Sequence, residues 1–278
     1  MGADAFGLKP SKEYFCDALV TTALMNKYHP VRQYLSSLKW DGVRRVEEFL
    51  PHVTGCDDTA LNRAIGMTVL IAGVRRIFTP GCKYDLLAIA EGPQGISKST
   101  MWRALVPDPS WFTDTLEIGA SSKETMEVTG GIWIAETPEL GGMPKREVEN
   151  TKSFVSRQID KARLSYGKFA TERPRQFICV GTTNDDKYLR DETGNRRFAP
   201  FECKREAVDV QYIIDNRDQL WAEAVVMEKE APHPVTIDKS LWVGRRRSRG
   251  RQETYRYPSR RVPPRCAYAK RAYRLPQN

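Results

Sequence analysis

The chain of 278 residues is poor in the side chains that build zinc sites and disulfide frameworks. It contains three histidines and six cysteines, and no two cysteines have the C-x-x-C spacing of metal ligands or redox pairs. No apolar run reaches the roughly 20 residues that span a bilayer. The N-terminus also lacks the basic segment and apolar run of a signal peptide. These absences argue against structural zinc, disulfides and membrane insertion, and they predict a cytoplasmic protein with free thiols.

Acidic residues are scarce at the C-terminal end of the chain. Residues 244–278 hold twelve of the 44 lysines and arginines but only one of the 35 acids, Glu253. The preceding part therefore carries 32 bases and 34 acids and is nearly neutral. The tail is rich in Arg, Pro and Tyr without a helical or strand period, which predicts disorder. The tail has two possible interpretations. It is either a basic arm that binds nucleic acid or the product of a frameshifted or truncated gene end.

The order of apolar segments predicts three regions. Residues 1–80 are expected to be mostly helical, residues 81–243 to form an α/β domain, and residues 244–278 to form the tail. Strands are predicted at 86–90, 112–116, 132–135 and 177–181, and helices after Lys98 and at 123–128, 145–158 and 208–229. This alternation is typical of a parallel sheet sandwiched by helices, which binds its ligand at the carboxyl ends of the strands.

The segment EGPQGISKST, residues 91–100, lies between a predicted buried strand and a predicted helix. It follows the phosphate-binding pattern G-x-x-x-x-G-K-[ST], except that Ser97 stands where the pattern has its second glycine. In such a loop the backbone N–H groups surround a polyphosphate, the lysine neutralises it and the hydroxyl ligates Mg²⁺. The alternative is a strand-to-helix turn with a surface lysine. The candidate ATP-binding residues are Gly92, Gln94, Gly95, Ile96, Ser97, Lys98, Ser99 and Thr100.

Polar residues follow two further predicted strands. Glu136 comes directly after the strand at 132–135, and Glu139 lies three residues later. ATPases use a carboxylate at this place to hold the metal and to polarise the attacking water. Glu136 is the first candidate and Glu139 the second, with a solvated acidic loop as the alternative. Asn184 follows the strand at 177–181, where an amide can orient that water or contact the γ-phosphate.

Arginines cluster around a predicted turn at Gly194 and Asn195. An arginine on a rigid turn can stabilise charge that develops on a γ-phosphate, in its own subunit or in a neighbouring one. The alternative is a set of surface salt bridges with the adjacent acids. The candidates are Arg190, Arg196 and Arg197.

Cations alternate with aromatic residues in the segment 156–169. This composition predicts a loop or hairpin whose cations meet phosphates and whose rings stack on the bases of single-stranded DNA. A solvated basic loop is the competing interpretation. The candidate DNA-binding residues are Arg157, Lys161, Arg163, Tyr166 and Lys168.

Taken together, these segments resemble the virulence-associated protein E family. That family is similar to the superfamily 3 helicases, which are ring-forming P-loop ATPases related to AAA+ proteins. The resemblance covers about residues 28–243. It is carried by the segments SLKWDG (37–42), GISKST (95–100), ETPEL (136–140) and RDETGNRRF (190–198).

The resemblance implies a role for each group of residues. Lys98 and Ser99 would bind the phosphates and Mg²⁺, with Glu136 as the acidic residue and Asn184 as the polar sensor. An arginine finger would be Arg196 or Arg197, with Arg190 as a further candidate. The segment 161–168 falls where such helicases carry a DNA-contacting hairpin.

The function implied is that of an Mg²⁺-ATP-dependent DNA helicase or single-strand-DNA-stimulated ATPase in the replication of a prophage or mobile element. It would act as a homo-oligomeric ring, most simply a hexamer, on single-stranded or forked DNA. Ser97 and the unusual tail favour a second hypothesis, a catalytically weak nucleic-acid-binding or regulatory protein from a decayed helicase gene. A small-molecule kinase shares the phosphate loop but needs neither the arginine turn nor the basic segment.

Overall fold

A five-stranded parallel sheet forms the centre of the computed structural model, which describes residues 11–137, 145–163, 169–184, 195–230 and 235–242. The strand order is β2-β3-β6-β1-β7, and β4 and β5 form a separate antiparallel hairpin. The strands are β1 Leu87–Glu91, β2 Phe112–Thr113, β3 Ile134–Thr137, β4 Ile159–Ala162, β5 Thr171–Pro174, β6 Ile178–Thr183 and β7 Phe198–Glu202.

Eight α-helices accompany the strands in the described part of the chain. Three short 3₁₀ turns lie at Pro109–Trp111, Asn195–Arg197 and Lys239–Trp242. The α-helices are α1 Lys12–Met25, α2 Pro30–Ser37, α3 Phe49–Thr54, α4 Ala60–Phe78, α5 Lys98–Ala104, α6 Ser122–Val128, α7 Lys145–Ser156 and α8 Val210–Glu230. None of these described helices is both long enough and apolar enough to cross a bilayer.

Successive residues of β1 point to opposite faces of the sheet, and each face has its own core. Ala88 and Ala90 belong to the core that α2, α3, α4 and α8 share with the sheet. Leu87 and Ile89 belong to the core on the other face, which α7 covers. The two-sided cover explains why the central strands are continuous apolar runs. The chain is therefore an α/β protein whose parallel sheet is sandwiched by helices, as the sequence predicts.

Two tryptophans fix the packing of the larger core. The rings of Trp133 and Trp221 lie 4.2 Å apart between centroids. The Trp133 indole donates to the carbonyl of Gly73 on α4 (3.0 Å), and the Trp221 indole donates to the carbonyl of Leu105 (2.7 Å). Buried indole N–H groups need such partners. Helices α2, α3 and α4 thus share a core with the sheet.

The main differences from the sequence-based predictions concern strands. Strand β3 starts at Ile134 and runs on through Glu136 and Thr137, because both residues pair with β6. Strand β2 ends at Thr113, since it lies at the edge of the sheet. Strand β7 was not predicted, and its Pro200 is accommodated because β7 is an edge strand. The segment 156–169, predicted as a loop or hairpin, contains β4 of the hairpin β4–β5, and β5 follows just after it.

Candidate nucleotide-binding site

The loop between β1 and α5 is built on three residues in left-handed backbone conformations. Gly92 has φ 152°, Gly95 has φ 87° and Ser97 has φ 69°. A Cβ at Gly92 would come within 3.2 Å of the Cys203 carbonyl oxygen, so the tight turn requires glycine there. Ser97 is the only non-glycine with positive φ in the described part of the chain. Its conformation is therefore the one that the glycine of the pattern adopts without strain.

Hydrogen bonds fasten this loop and α5 to neighbouring elements. The Gly92 N–H donates to the carbonyl of Thr183 on β6 (3.3 Å), and the Val208 N–H donates to the carbonyl of Ile96 (3.0 Å). The indole of Trp102 on α5 donates to the carbonyl of Gly181 on β6 (3.3 Å). The loop is thus held in place before any ligand binds.

Lys98 is folded back over the loop. Its Nζ donates to the carbonyl oxygens of Gly92 (2.7 Å) and Pro93 (2.5 Å) and to Oδ1 of Asn184 (2.9 Å). Burial of the side chain lowers the pKa of the amine. All three hydrogen-bond partners are neutral oxygens, so the positive charge of Lys98 is available to an anion.

Glu136 is fully buried at the carboxyl end of β3. Its Oε1 accepts hydrogen bonds from the hydroxyls of Ser99 and Thr182, each at 2.7 Å. Its Oε2 is buried and has no hydrogen bond. Burial is the main reason why the pKa of this carboxyl group is raised.

The oxygens of Ser99 and Glu136 fit an Mg²⁺ ion. Mg²⁺ prefers oxygen ligands and commonly takes one or two from the protein, with the rest from water and phosphates. The buried Oε2 of Glu136 offers one such oxygen without losing a hydrogen bond. No group of three or more His, Cys, Asp or Glu side chains that could hold a metal alone occurs among the described residues. Ser99 and Glu136 together thus supply two oxygens of the kind that bind Mg²⁺.

The four predicted residues Lys98, Ser99, Glu136 and Asn184 come together at the carboxyl ends of β1, β3 and β6. This edge of an open parallel sheet is where ligands bind in such folds. A family model for the virulence-associated protein E-like domain matches residues 35–249. The chain belongs to this family.

This virulence-associated protein E-like domain was also compared with curated proteins and with solved structures. A search of curated proteins gave no match. Among solved structures, an A-form apo structure of the NrS-1 C-terminal region is 15% identical, with a TM-score of 0.48, over 68% of this chain and 47% of that one. A second apo structure of that region is also 15% identical, with a TM-score of 0.46, over 74% of this chain and 49% of that one. The chain therefore spans about half the length of these structures.

In this virulence-associated protein E-like domain, Arg196 and Arg197 lie away from the candidate nucleotide site. They precede Phe198, which pairs with Leu87 at the start of β1, whereas the phosphate loop follows Glu91 at its end. The rise along a strand separates these two ends by about 13 Å. Arg196 is exposed, and Nε of Arg197 lies 3.6 Å from Oδ2 of Asp85. The structure does not bring these arginines to Lys98.

The hairpin β4–β5 carries the described part of the predicted DNA-binding segment. Lys161 on β4 forms an exposed ion pair with Glu172 on β5 (2.8 Å). Arg163 follows β4, and Phe169, which precedes β5, has 82% of its surface exposed. The hairpin geometry is confirmed, and its binding to DNA stays a prediction. The predicted residues Glu139, Tyr166, Lys168 and Arg190, like the tail 244–278, lie outside the described residues.

Two site features escaped the sequence analysis. Thr182 holds the Glu136 carboxylate, and the run of small polar residues at the end of its strand was the available signal. A buried ion pair between Arg175 and Asp160 (2.7 Å) fixes the base of the hairpin. Nothing in the local sequence distinguishes that pair from exposed charges.

Proposed function

We propose that this protein is an Mg²⁺-ATP-dependent motor ATPase of the DNA helicase type, stimulated by single-stranded DNA. It would act in the replication of a prophage or another mobile element. One observation carries the proposal: Lys98, Ser99, Glu136 and Asn184 converge beside a loop of phosphate-binding geometry. Membership of the virulence-associated protein E-like family supports it.

Each side chain has a distinct task in this proposal. Lys98 leaves the loop carbonyls and places its charge against the phosphates. Ser99 and Glu136 would hold Mg²⁺, which when bound supplies counter-charge for the phosphates. Thr182 fixes the orientation of the Glu136 carboxylate. Asn184, once its bond to Lys98 is broken, presents its amide to the attacking water.

If Arg196 or Arg197 is the arginine that such chemistry uses, it would come from another copy of the chain. Arg196 and Arg197 are about 13 Å or more from the phosphate loop of their own subunit. A homo-oligomeric ring, most simply a hexamer, would place one of them against the neighbouring nucleotide. Arg190 stays a further candidate for this role. The motor would move along single-stranded or forked DNA.

The test is ATP hydrolysis by the purified full chain with and without single-stranded DNA. The Lys98→Ala variant should lose at least about a hundredfold in turnover, because the phosphate charge is no longer neutralised. Lys229→Ala, which removes an exposed cation from α8, is the matched control and should keep full activity. DNA-stimulated turnover that disappears in Lys98→Ala alone supports the proposal. Equal turnover in the two variants would overturn it.

Ser97 favours a second candidate function, a DNA-binding or regulatory protein with weak ATPase activity. Its left-handed φ of 69° places a side chain where the phosphate loop pattern has glycine. The discriminating variant is Ser97→Gly. A rise in turnover of tenfold or more would identify the natural chain as impaired. Unchanged turnover, with wild-type activity that DNA stimulates, would favour the motor.

A further inference from the structure

A cavity of about 340 Å³ lies beside the carboxyl end of α7. Its position differs from that of the nucleotide site, because Arg197 stands at the amino ends of the strands and the phosphate loop at their carboxyl ends. A nucleotide on the loop of the same chain is therefore too far away to fill it. The cavity is lined by three cations, two hydroxyls and one carboxylate, namely Lys152, Arg157, Arg197, Ser153, Ser156 and Glu149.

The charges in this cavity are unbalanced. Lys152 is nearly buried, and its Nζ donates to Oε1 of Glu149 at 2.8 Å, so these two charges compensate each other. The guanidinium of Arg157 remains, whereas that of Arg197 forms a long ion pair with Asp85. Nε of Arg197 is buried without a hydrogen bond and lies 3.6 Å from Asp85, which is beyond hydrogen-bonding distance. The cavity thus combines positive charge with an unused donor.

Two guanidinium groups at one cavity select for a phosphate. The planar guanidinium fork matches the oxygens of a phosphate in two parallel hydrogen bonds, and Arg is preferred where such recognition is needed. The guanidinium of Arg157 lies 5.6 Å from the ring centroid of Phe154, which limits its freedom. The exposed Ser153 adds a hydroxyl donor.

The cavity is continuous in sequence with the hairpin β4–β5. Arg157 precedes β4 by only two positions. The hairpin exposes Ile159 (50%) at the end beside Arg157, and Phe169 (82%) lies at the opposite end, beyond the pair of Ala162 and Thr171. A strand of nucleic acid with a phosphate in the pocket would run along the hairpin toward this ring, on which a base would stack, as in proteins that hold single strands with cations and aromatic rings.

We infer that this cavity binds a backbone phosphate of single-stranded DNA through Arg157 and Arg197. The inference rests on the proposed function, since it adds a second contact to the DNA-binding hairpin. It assigns Arg197 to DNA and leaves Arg196 as the member of the pair that would reach a neighbouring nucleotide.

The test measures binding of the full chain to a fluorescent oligothymidylate by anisotropy over a series of salt concentrations. Arg157→Gln and Arg197→Gln should each weaken binding and lower the slope of log K against log salt by about 0.7, the value for one single-strand phosphate contact. Lys229→Gln, which removes an exposed cation from α8, is the control and should keep the wild-type slope. The basic tail contributes equally to DNA binding by every variant. A difference in salt slope between variants therefore comes from the cavity.

A third variant distinguishes loss of DNA binding from loss of folding. Ser153→Glu keeps both arginines and adds a negative charge at an exposed position on α7. It should reduce DNA affinity at least fivefold while the thermal midpoint stays within a few degrees of the wild type. Unchanged salt slopes in both arginine variants, or unchanged affinity in Ser153→Glu, would overturn the inference.

The same measurements separate this inference from the proposed function. Variants that keep DNA affinity but lose turnover without DNA would show that the cavity serves a nucleotide on a second copy, and the inference would fail. A wild-type chain that binds DNA through the cavity but hydrolyses no ATP would leave the inference standing and overturn the proposed function.

Discussion

The amine of Lys98 donates a 2.9 Å hydrogen bond to the amide oxygen of Asn184, which joins the phosphate loop to the end of strand β6. The same amine also donates to two loop carbonyls. A phosphate that attracts Lys98 must compete with these hydrogen bonds. When Lys98 moves to the phosphate, its bond to Asn184 breaks and the Asn184 amide becomes free. Asn184 is thereby linked to the ligand state of the loop through one side chain.

Replacement of Asn184 by Asp should weaken ATP binding more than it slows hydrolysis. The new carboxylate forms an ion pair with Lys98, and the charge that should meet the phosphates is then neutralised within the protein. We expect the KM for ATP to rise by about tenfold or more, which corresponds to about 1.4 kcal/mol. Asn184→Ala should instead lower kcat with little change in KM. Steady-state kinetics of both variants check this, and identical effects of the two would contradict it.

Relief of the left-handed strain at Ser97 should stabilise the protein. A non-glycine residue costs about 1–2 kcal/mol in this conformation, whereas glycine adopts it freely. Ser97→Gly should therefore raise the free energy of unfolding by about 1 kcal/mol, after the entropic cost of glycine is subtracted. Ser97→Ala keeps a Cβ and serves as the control, with no gain expected. Urea unfolding of the three proteins is the measurement, and a gain for alanine equal to that for glycine would rule out backbone strain as the cause.

Glu136→Gln should make the protein more stable at alkaline pH and inactive. Because burial raises the folded-state pKa of Glu136, the proton is bound more tightly in the native state than in the unfolded one. The resulting stabilisation is present below the ordinary pKa of 4.5 and is lost as the pH rises through the raised folded-state value. Glutamine carries no charge, so we expect a gain of about 1 kcal/mol over the wild type at pH 8.

The gain of Glu136→Gln should shrink toward zero at pH 4, and turnover should fall by at least about a hundredfold. Glu228→Gln is the control, since that carboxylate accepts hydrogen bonds at 2.6 Å and 2.7 Å from Arg75. Its loss of charge should lower stability at pH 8. Urea midpoints at the two pH values measure both effects. A Glu136→Gln protein that is less stable than the wild type at pH 8 would refute the role of burial.

Arg175 and Asp160 should behave as one unit in a double-mutant cycle. The guanidinium makes two 2.7 Å bonds to the carboxylate and donates to the Phe154 carbonyl at 2.6 Å. It also lies 4.3 Å from the centroid of the Phe154 ring. Removal of one partner leaves a buried charge, so Arg175→Met should cost about 3–5 kcal/mol.

The paired variant Arg175→Met/Asp160→Leu should be more stable than Arg175→Met alone, because no unpaired charge is left inside. Equilibrium unfolding of the wild type, the two single variants and the double variant gives the interaction energy. Strict additivity of the two single effects would show that the pair contributes no coupling.

Sequence reasoning located the elements whose apolar pattern is strong. Strand β6 and helix α8 begin and end within two residues of their predicted bounds. The strand is a continuous apolar run, and the helix has apolar residues at helical spacing. The hairpin strands have no such pattern, since Ile159–Ala162 and Thr171–Pro174 mix charged and apolar residues with both faces largely exposed. Strand β7 was missed because Pro200 reads as a strand breaker until the edge position is known.

The candidate nucleotide site was predictable where a polar residue lies at the end of a strand or directly after it. Glu136 and Asn184 were found in this way. The bond from Thr182 to Glu136 was not, because it depends on β3 and β6 being neighbours although they are far apart in sequence. The separation of Arg197 from Lys98 likewise follows from strand direction rather than from any local pattern.

The sheet stands between the phosphate loop at one end of its strands and the hairpin and cavity at the other. Because the two sites lie at opposite ends of the strands, the effects of variants on unfolding free energy should add within about half a kcal/mol. The unfolding free energies of the combined variants therefore show what is expected when the two sites act independently. Any departure from additivity in turnover, measured on the same combined variants, would then measure the coupling between the proposed DNA site and the proposed nucleotide site.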